Sequence, residues 1–197
     1  MFSAFHWDRI AAGILARLTR FGVRIVPYFV VREGSGPEES VEVGTQFTCG
    51  FIGPESLPQL LRLEPWIDEK EYADCFSQGN LCYAVKDGER IVAKMWCALK
   101  VLSHPGSRRM LHEDEVNFFG AYTDPHYRGH ELAPFMRARC YEALREMGRR
   151  RFYSYTDYFN TRARRFKLKV GAVNEALRIH IDLFGRFSRT WTIRKYR

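Results

Sequence analysis

No run of apolar residues in this chain approaches the roughly 18 needed to span a bilayer as a helix. A helical integral membrane protein is therefore not expected. Cysteine is sparse, with Cys49, Cys75, Cys82, Cys97 and Cys140 making five in all. The odd number, with no Cys-x-x-Cys and no Cys/His ligand spacing, argues against a disulfide framework or a zinc site and for a reducing compartment. The glycines match neither a P-loop nor a dinucleotide fingerprint. No Ser-His-Asp or Cys-His arrangement carries a local signature, so a covalent nucleophile is not expected. Metal motifs, internal repeats and low-complexity tracts are all missing. The N-terminus carries Asp8 and Arg9 where a signal peptide needs an unbroken apolar stretch. A cytoplasmic location and no bound metal are the expectations these absences leave.

What is present is an ordinary globular composition with an uneven charge. The 197 residues suit one domain with a real core, and 46% of them are hydrophobic. The net charge is +8, but residues 128–197 hold 18 Lys and Arg against 6 Asp and Glu, whereas residues 1–127 hold 13 against 17. A basic C-terminal third fits an anionic partner. Nucleic acid would suit that charge as well, yet no reading motif accompanies it, so nucleic acid is not the expected partner.

Along the chain, residues 2–20 form a candidate amphipathic helix with Phe2, Phe5, Ile10, Ile14, Leu15 and Leu18 on one side. Arg24 to Val31 reads as a strand, with Pro27 suggesting an edge or irregular position. Glu33 to Ser40 is the clearest linker. The expected division is an N-terminal extension over 1–40 and one α/β domain over 41–197. Within the second unit, Gln46–Ile52 reads as a strand, 56–63 and 69–76 as helices, and Leu81–Cys97 as a hairpin around Asp87-Gly88. Val116–Thr123 and Arg151–Thr156 read as strands, and Ala176–Phe184 and Thr190–Tyr196 as a final pair around Gly185. The cationic helix at 2–20 allows two placements: against the core or a dimer interface, or on an anionic membrane surface.

The segment between the strand at 116–123 and the next helix is the most informative. It reads Tyr122-Thr-Asp-Pro-His-Tyr-Arg-Gly-His-Glu-Leu-Ala133 and feeds a helical pattern of Leu132, Phe135, Met136, Cys140, Ala143, Leu144 and Met147. The first N–H groups of such a helix lack internal partners, and its dipole places partial positive charge beside Arg128 and Gly129. Pro134 suits a first turn and Gly148 suits a C-cap. These features define a phosphate-binding turn.

Arg128-Gly129-His130-Glu131-Leu132-Ala133 resembles the turn of the GNAT acyltransferase superfamily that holds the pyrophosphate of acetyl-CoA. The Arg and the final Ala match, while Glu131 stands where the family has Gly. Asn160, Ala163, Lys169, Val170 and Gly171 fit the family spacing further on. The resemblance spans roughly 45–197 and implies a mixed, strongly twisted sheet flanked by helices. It implies a CoA thioester as donor and an amine as acceptor. By the same resemblance Ala121, Tyr122 and Thr123 would contact the pantetheine arm, and Arg128, Gly129, His130, Glu131, Leu132, Ala133 and Asn160 would contact the rest of CoA. Asn160 could equally be a helix N-cap. Glu115 stands near the usual general base, although Glu113-Asp114-Glu115 could also be a solvated strand entry, and His104 and His112 are further candidate bases. The family's frequent acid is a Tyr seven residues after Asn160, where this chain has Lys167. Tyr155, Asp157 and Tyr158 lie at the strand end and are candidates to replace it. Three readings follow: an acetyl transfer enzyme, a transferase of longer acyl groups from CoA or a carrier protein at a membrane surface, and a non-catalytic module of this fold. A homodimer and peripheral membrane contact through residues 2–20 stay open.

Overall fold

A computed structural model describes residues 4–34 and 43–196, with the backbone alone for 4–11. The side chains of Phe5 and Ile10, all of Phe2, and residues 35–40 of the expected linker lie outside the described residues. Helix α1 (Ala4–Thr19) leads into strand β1 (Val23–Glu33). Then follow β2 (Phe47–Ile52), α2 (Leu57–Leu63), α3 (Glu69–Ser77) and the hairpin β3 (Leu81–Asp87) and β4 (Arg90–Ala98). A small hairpin of β5 (Val101–His104) and β6 (Ser107–Met110), which the sequence pattern did not announce, precedes β7 (Glu115–Thr123). The chain ends with α4 (Leu132–Glu146), β8 (Arg151–Asp157), α5 (Thr161–Lys169), β9 (Val173–Leu183) and β10 (Phe187–Lys195).

Eight strands form one sheet in the order β10-β9-β1-β8-β7-β4-β3-β2. All neighbours are antiparallel except β7 and β8, the one parallel pair. The mixed sheet flanked by helices matches the expected class. Period-two alternation decides which face each residue serves. Tyr83, Val85, Ala93, Met95 and Cys97 meet Leu132, Met136, Cys140 and Leu144 of α4, while Cys82, Ala84 and Trp96 meet Leu60 of α2 and Tyr72 of α3. Helix α5 joins α4 on the first face through Arg137, whose guanidinium lies 5.5 Å from the Phe166 ring centre. On the second face the β5–β6 hairpin lies over β1 and β8, with the His104 ring centre 4.3 Å from those of both Tyr28 and Tyr155, tilted against the first and stacked on the second.

Strand β1 corrects the expectation attached to Pro27. It lies inside the sheet, between β9 and β8, and not at an edge. Pro27 is tolerated because β8 ends opposite it: the Pro27 carbonyl accepts from the Tyr158 N–H at 3.0 Å, and the Tyr158 carbonyl accepts from Arg164 Nη1 at 3.2 Å. No ladder hydrogen bond is lost. The segment assigned in sequence to a 1–40 extension thus supplies an interior strand, a pairing with residues more than a hundred positions away that local pattern does not encode. Met147, grouped with the buried face of α4, is half exposed at its C-cap.

The feature that matters for the site is where β7 and β8 part. They pair only from Glu115↔Arg151 to Phe118↔Ser154. Immediately beyond, β7 bulges: Trp96 faces Phe119 and Lys94 faces Tyr122, so Met95 opposes both Gly120 and Ala121. Gly120 has φ +55°, and a Cβ there would lie 3.0 Å from Trp96 Cδ1. Only glycine takes that backbone without strain. Gly120→Ala is expected to lower the unfolding free energy by about 1–3 kcal/mol, measured by urea denaturation. Gly50→Ala, in open space on edge strand β2, is the control and should be nearly neutral.

Candidate active site

The wide end of the gap between β7 and β8 opens on the turn predicted to bind phosphate. Asp124 organises that turn: its Oδ1 accepts from the His126 N–H at 2.9 Å, and its Oδ2 pairs with Arg90 Nη2 at 2.7 Å. A single 3-10 turn over Pro125–Tyr127 follows, tied down by Tyr127 Oη donating to Asp87 Oδ2 at 2.8 Å. Gly129 then takes φ +88° and Glu131 φ +53°. Among the described residues, no acceptor meets the backbone N–H groups of Gly129 through Ala133, since the first helical hydrogen bond runs from the Phe135 N–H to the Glu131 carbonyl. Four of these residues, Gly129, Glu131, Leu132 and Ala133, border at the positive end of α4 a cavity of about 240 Å³ that Arg128, Arg165 and Lys169 also line.

Of the residues expected to hold CoA, the structure brings Thr123, Arg128, Gly129, Glu131, Leu132 and Ala133 together on this one cavity. Ala121 and Tyr122 lie just behind it on β7, Tyr122 under the Arg128 guanidinium at 5.8 Å. Arg128 folds back on the strand, with Nε donating to the Thr123 carbonyl at 3.3 Å. His130 is exposed at the tip of the turn. Asn160 is the N-cap of α5, its Oδ1 accepting from the Ala163 N–H at 3.0 Å.

Glu131, where the family pattern has glycine, takes a left-handed backbone, and its charge is answered. Lys169 Nζ, from the last turn of α5, lies 2.7 Å from Glu131 Oε1. The carboxylate is thereby drawn toward α5, and the pair adds no net negative charge where a diphosphate would sit. Arg165 and Lys169 are one helical turn apart. Their role at the cavity was not read from the sequence, although spacing on a short basic helix beside Asn160 was the available signal.

The three expected catalytic residues do not converge. Glu115 starts β7, and Asp157 ends β8 six residues beyond its pairing partner Arg151, so roughly 20 Å of strand separates them. Glu115 is 3% exposed and enclosed by Arg109 Nη1 at 2.5 Å, the His112 N–H at 3.0 Å and Arg151 Nη1 at 3.4 Å. It is neither solvated nor in the gap. Burial pushes its pKa up, but the two arginines and the N–H outweigh that and hold it below the ordinary carboxylate value. Such a group is a weak base. Asp157 turns back to accept from the Phe159 N–H at 2.8 Å. Tyr158 stacks on Phe29 with ring centres 5.6 Å apart, on the far side of β8 from β7. His104 is half-buried between Tyr28 and Tyr155, and that burial pushes its pKa down to about 4.

The groups that do meet where the strands part, Lys167 apart, escaped sequence reading. Glu33, from the end of β1, is buried with Arg137 of α4 and Lys167 of α5. Ser154, on the last rung shared by β7 and β8, donates to Glu33 and accepts from Lys167 Nζ at 2.6 Å. Lys167 also bonds Thr156 Oγ1 and, at 3.2 Å, the Tyr155 carbonyl. Burial pushes the Lys167 pKa down to about 8, with Glu33 offsetting part of the effect.

A family model described as the acetyltransferase (GNAT) family matches residues 52–172. The chain belongs to the GNAT acetyltransferase family. Solved structures agree on the fold. A GNAT-family acetyltransferase from Novosphingobium aromaticivorans shares 20% identity at a TM-score of 0.54, over 87% of this chain and 66% of that one. The ribosomal-protein-S18-alanine N-acetyltransferase of Escherichia coli shares 16% at 0.52, over 64% of this chain and 76% of its own. AAC(6')-Iy, bound to the bisubstrate analogue CoA-S-monomethyl-acetylneamine, shares 15% at 0.51, over 64% of this chain and 89% of its own. No curated protein sequence matches the chain. No described helix is long and apolar enough to cross a membrane.

Two outcomes are expected from this geometry. Glu131→Gly should raise stability by about 1 kcal/mol by relieving the left-handed backbone and should not weaken CoA binding. Lys169→Ala should weaken binding several-fold by leaving Glu131 unanswered, and the double variant should recover it; calorimetric titration with CoA reads all three. The second concerns acid. Because the folded pKa of Glu115 is depressed, its contribution is present above the unfolded value near 4.5 and is lost as pH falls through the folded value. Arg109→Ala should therefore shrink the loss of stability below pH 4.5, measured by urea unfolding across pH.

Proposed function

We propose that this chain is a CoA-dependent N-acyltransferase that passes an acetyl or similar acyl group directly from the thioester to an amine. The observation that carries the reading is the turn at 128–133. There, Gly129, Glu131, Leu132 and Ala133, whose backbone N–H groups have no acceptor among the described residues, line one cavity with Arg128, Arg165 and Lys169 at the mouth of the gap between β7 and β8. A diphosphate placed there directs the pantetheine arm down the gap, where Phe119–Tyr122, unpaired toward β8, offer backbone partners. The bulge at Gly120 and Ala121 exposes backbone N–H groups suited to polarise the thioester carbonyl.

The acceptor amine approaches from the face carrying α2 and α3. Trp66, whose ring lies 5.3 Å from that of Tyr122, and Phe119, stacked on Trp96 at 6.3 Å, line the approach. A larger cavity of about 480 Å³, bordered by Arg62, Glu89, Arg90 and Asp124, continues on that side. Its mixed charges suit a polar acceptor. Attack by the amine on the carbonyl forms the C–N bond directly, with no enzyme nucleophile. Glu115 is not the base in this scheme, because it is locked to arginine at the closed end of the strands.

Calorimetric titration with acetyl-CoA tests the reading. Micromolar binding is expected, and Arg128→Glu should weaken it by at least about tenfold, as one charge-assisted phosphate contact is reversed in sign. Unchanged binding in that variant would remove the turn from the proposal. Longer acyl-CoAs in the same titration decide between acetyl and longer donors. Binding without turnover of any amine would leave a CoA-binding module of this fold.

A further inference from the structure

The cluster of Glu33, Arg137 and Lys167 holds two cations against one carboxylate, and it is buried. The three side chains are 0%, 3% and 9% exposed. Tyr141 donates to Glu33 Oε2 at 2.7 Å and is kept protonated by burial, which also holds the neighbouring Cys97 thiol neutral. No further acid within the cluster balances the second cation. Lys167 spends its three protons on Ser154, Thr156 and Tyr155. Arg137 does not: its Nε lies 3.4 Å from Glu33 Oε2, and neither Nε nor Nη1 has a hydrogen-bond acceptor. A buried guanidinium with orphan donors is costly and calls for an explanation.

Its position supplies one. The Arg137 guanidinium lies 4.3 Å from the centre of the Phe118 ring, and Lys167 bonds Ser154. Phe118 and Ser154 are the last rung before β7 and β8 separate. From Thr123 at the phosphate turn to Phe118 is five residues, roughly 17 Å of strand. An arm anchored by its diphosphate at the turn and running down the gap ends beside this surplus charge.

We propose that Arg137 and Lys167 stabilise the CoA thiolate as it leaves the acyl group, as a fixed buried cation and not as a proton donor. This rests on the acyl-CoA reading above. As the C–N bond forms, the C–S bond breaks and its electron pair stays on sulfur. The acceptor's extra proton goes to solvent. The sulfur anion then faces a site with one uncompensated positive charge in a low-dielectric setting, where a fixed charge acts strongly. Lys167, pushed down to about 8 by burial, remains mostly charged at neutral pH.

The test is the ionisation of bound CoA itself. Calorimetry first establishes that CoA binds. The thiolate absorbance of the complex is then titrated against pH, as a difference from the complex with desulfo-CoA so that the protein's own thiols cancel. In the wild-type protein the bound thiol should ionise at least about one pH unit below free CoA, as an opposite charge at close range requires. Lys167→Met and Arg137→Gln should each return it toward the free value, while Arg137→Lys, which keeps the charge, should retain the shift. Should Arg137→Gln fail to fold, the wild-type and Lys167→Met titrations still decide. Tight binding with a thiol that titrates as in free CoA, or variants that match wild type, would overturn the inference and leave the CoA reading standing. No binding of CoA would overturn both.

Discussion

The structure turns on one loss of pairing. Two parallel strands, β7 and β8, share four rungs and then separate at Phe118 and Ser154. Inside a sheet, unpaired backbone is expensive, so the separation must be imposed and stabilised from both sides. The bulge at Gly120 turns β7 toward β4, while Lys167 takes the Tyr155 carbonyl that β7 no longer reaches. Everything proposed for the site follows from that gap: an anion turn at its wide end, free backbone along its walls, and buried charge at its apex.

The departures from the family pattern are better understood as exchanged charges than as damage. Glu131 stands where glycine would, and Lys169 answers it across the cavity. Lys167 stands where a phenol would, and Glu33 reaches it from a strand at the other end of the chain. In each case a residue that looks unsuitable in isolation has acquired a partner on a different element. An exposed ion pair contributes little to stability, so the Glu131–Lys169 contact matters for the local field. The Glu33 cluster is different, because a buried pair broken by removing one partner leaves a costly bare charge.

What could be read from the sequence was whatever has a short period. The helix at 132–146 announced itself by its apolar spacing, the β3–β4 hairpin by Asp87-Gly88, and the phosphate turn by Arg128 and Gly129 between a strand and a helix. Long-range partners were illegible. Pro27 looked like an edge residue because nothing nearby says that β8 stops opposite it. Glu115 looked like a free carboxylate because Arg109 belongs to a hairpin with no turn signature strong enough to place it. Glu33 was read as the first residue of the linker, whereas it ends β1, and it carried no hint that it would be buried between two helices. The anion turn is local and was visible; the apex is assembled from four separate elements and was not.

The placement of β1 also constrains how the molecule can be made. Its partners, β8 and β9, lie at residues 151–183, so the strand waits through most of the chain before it can be enclosed. Contacts so distant in sequence close slowly, because loop entropy must be overcome before they stabilise anything. A growing chain that has already formed β2 to β7 holds Glu33 without the cations of α4 and α5 that enclose it, and carries an apolar strand with two open edges. Such a strand is a hazard for mispairing during synthesis. The order of folding is thus written into the architecture: the cleft's outer parts form first, and its charged floor is laid last.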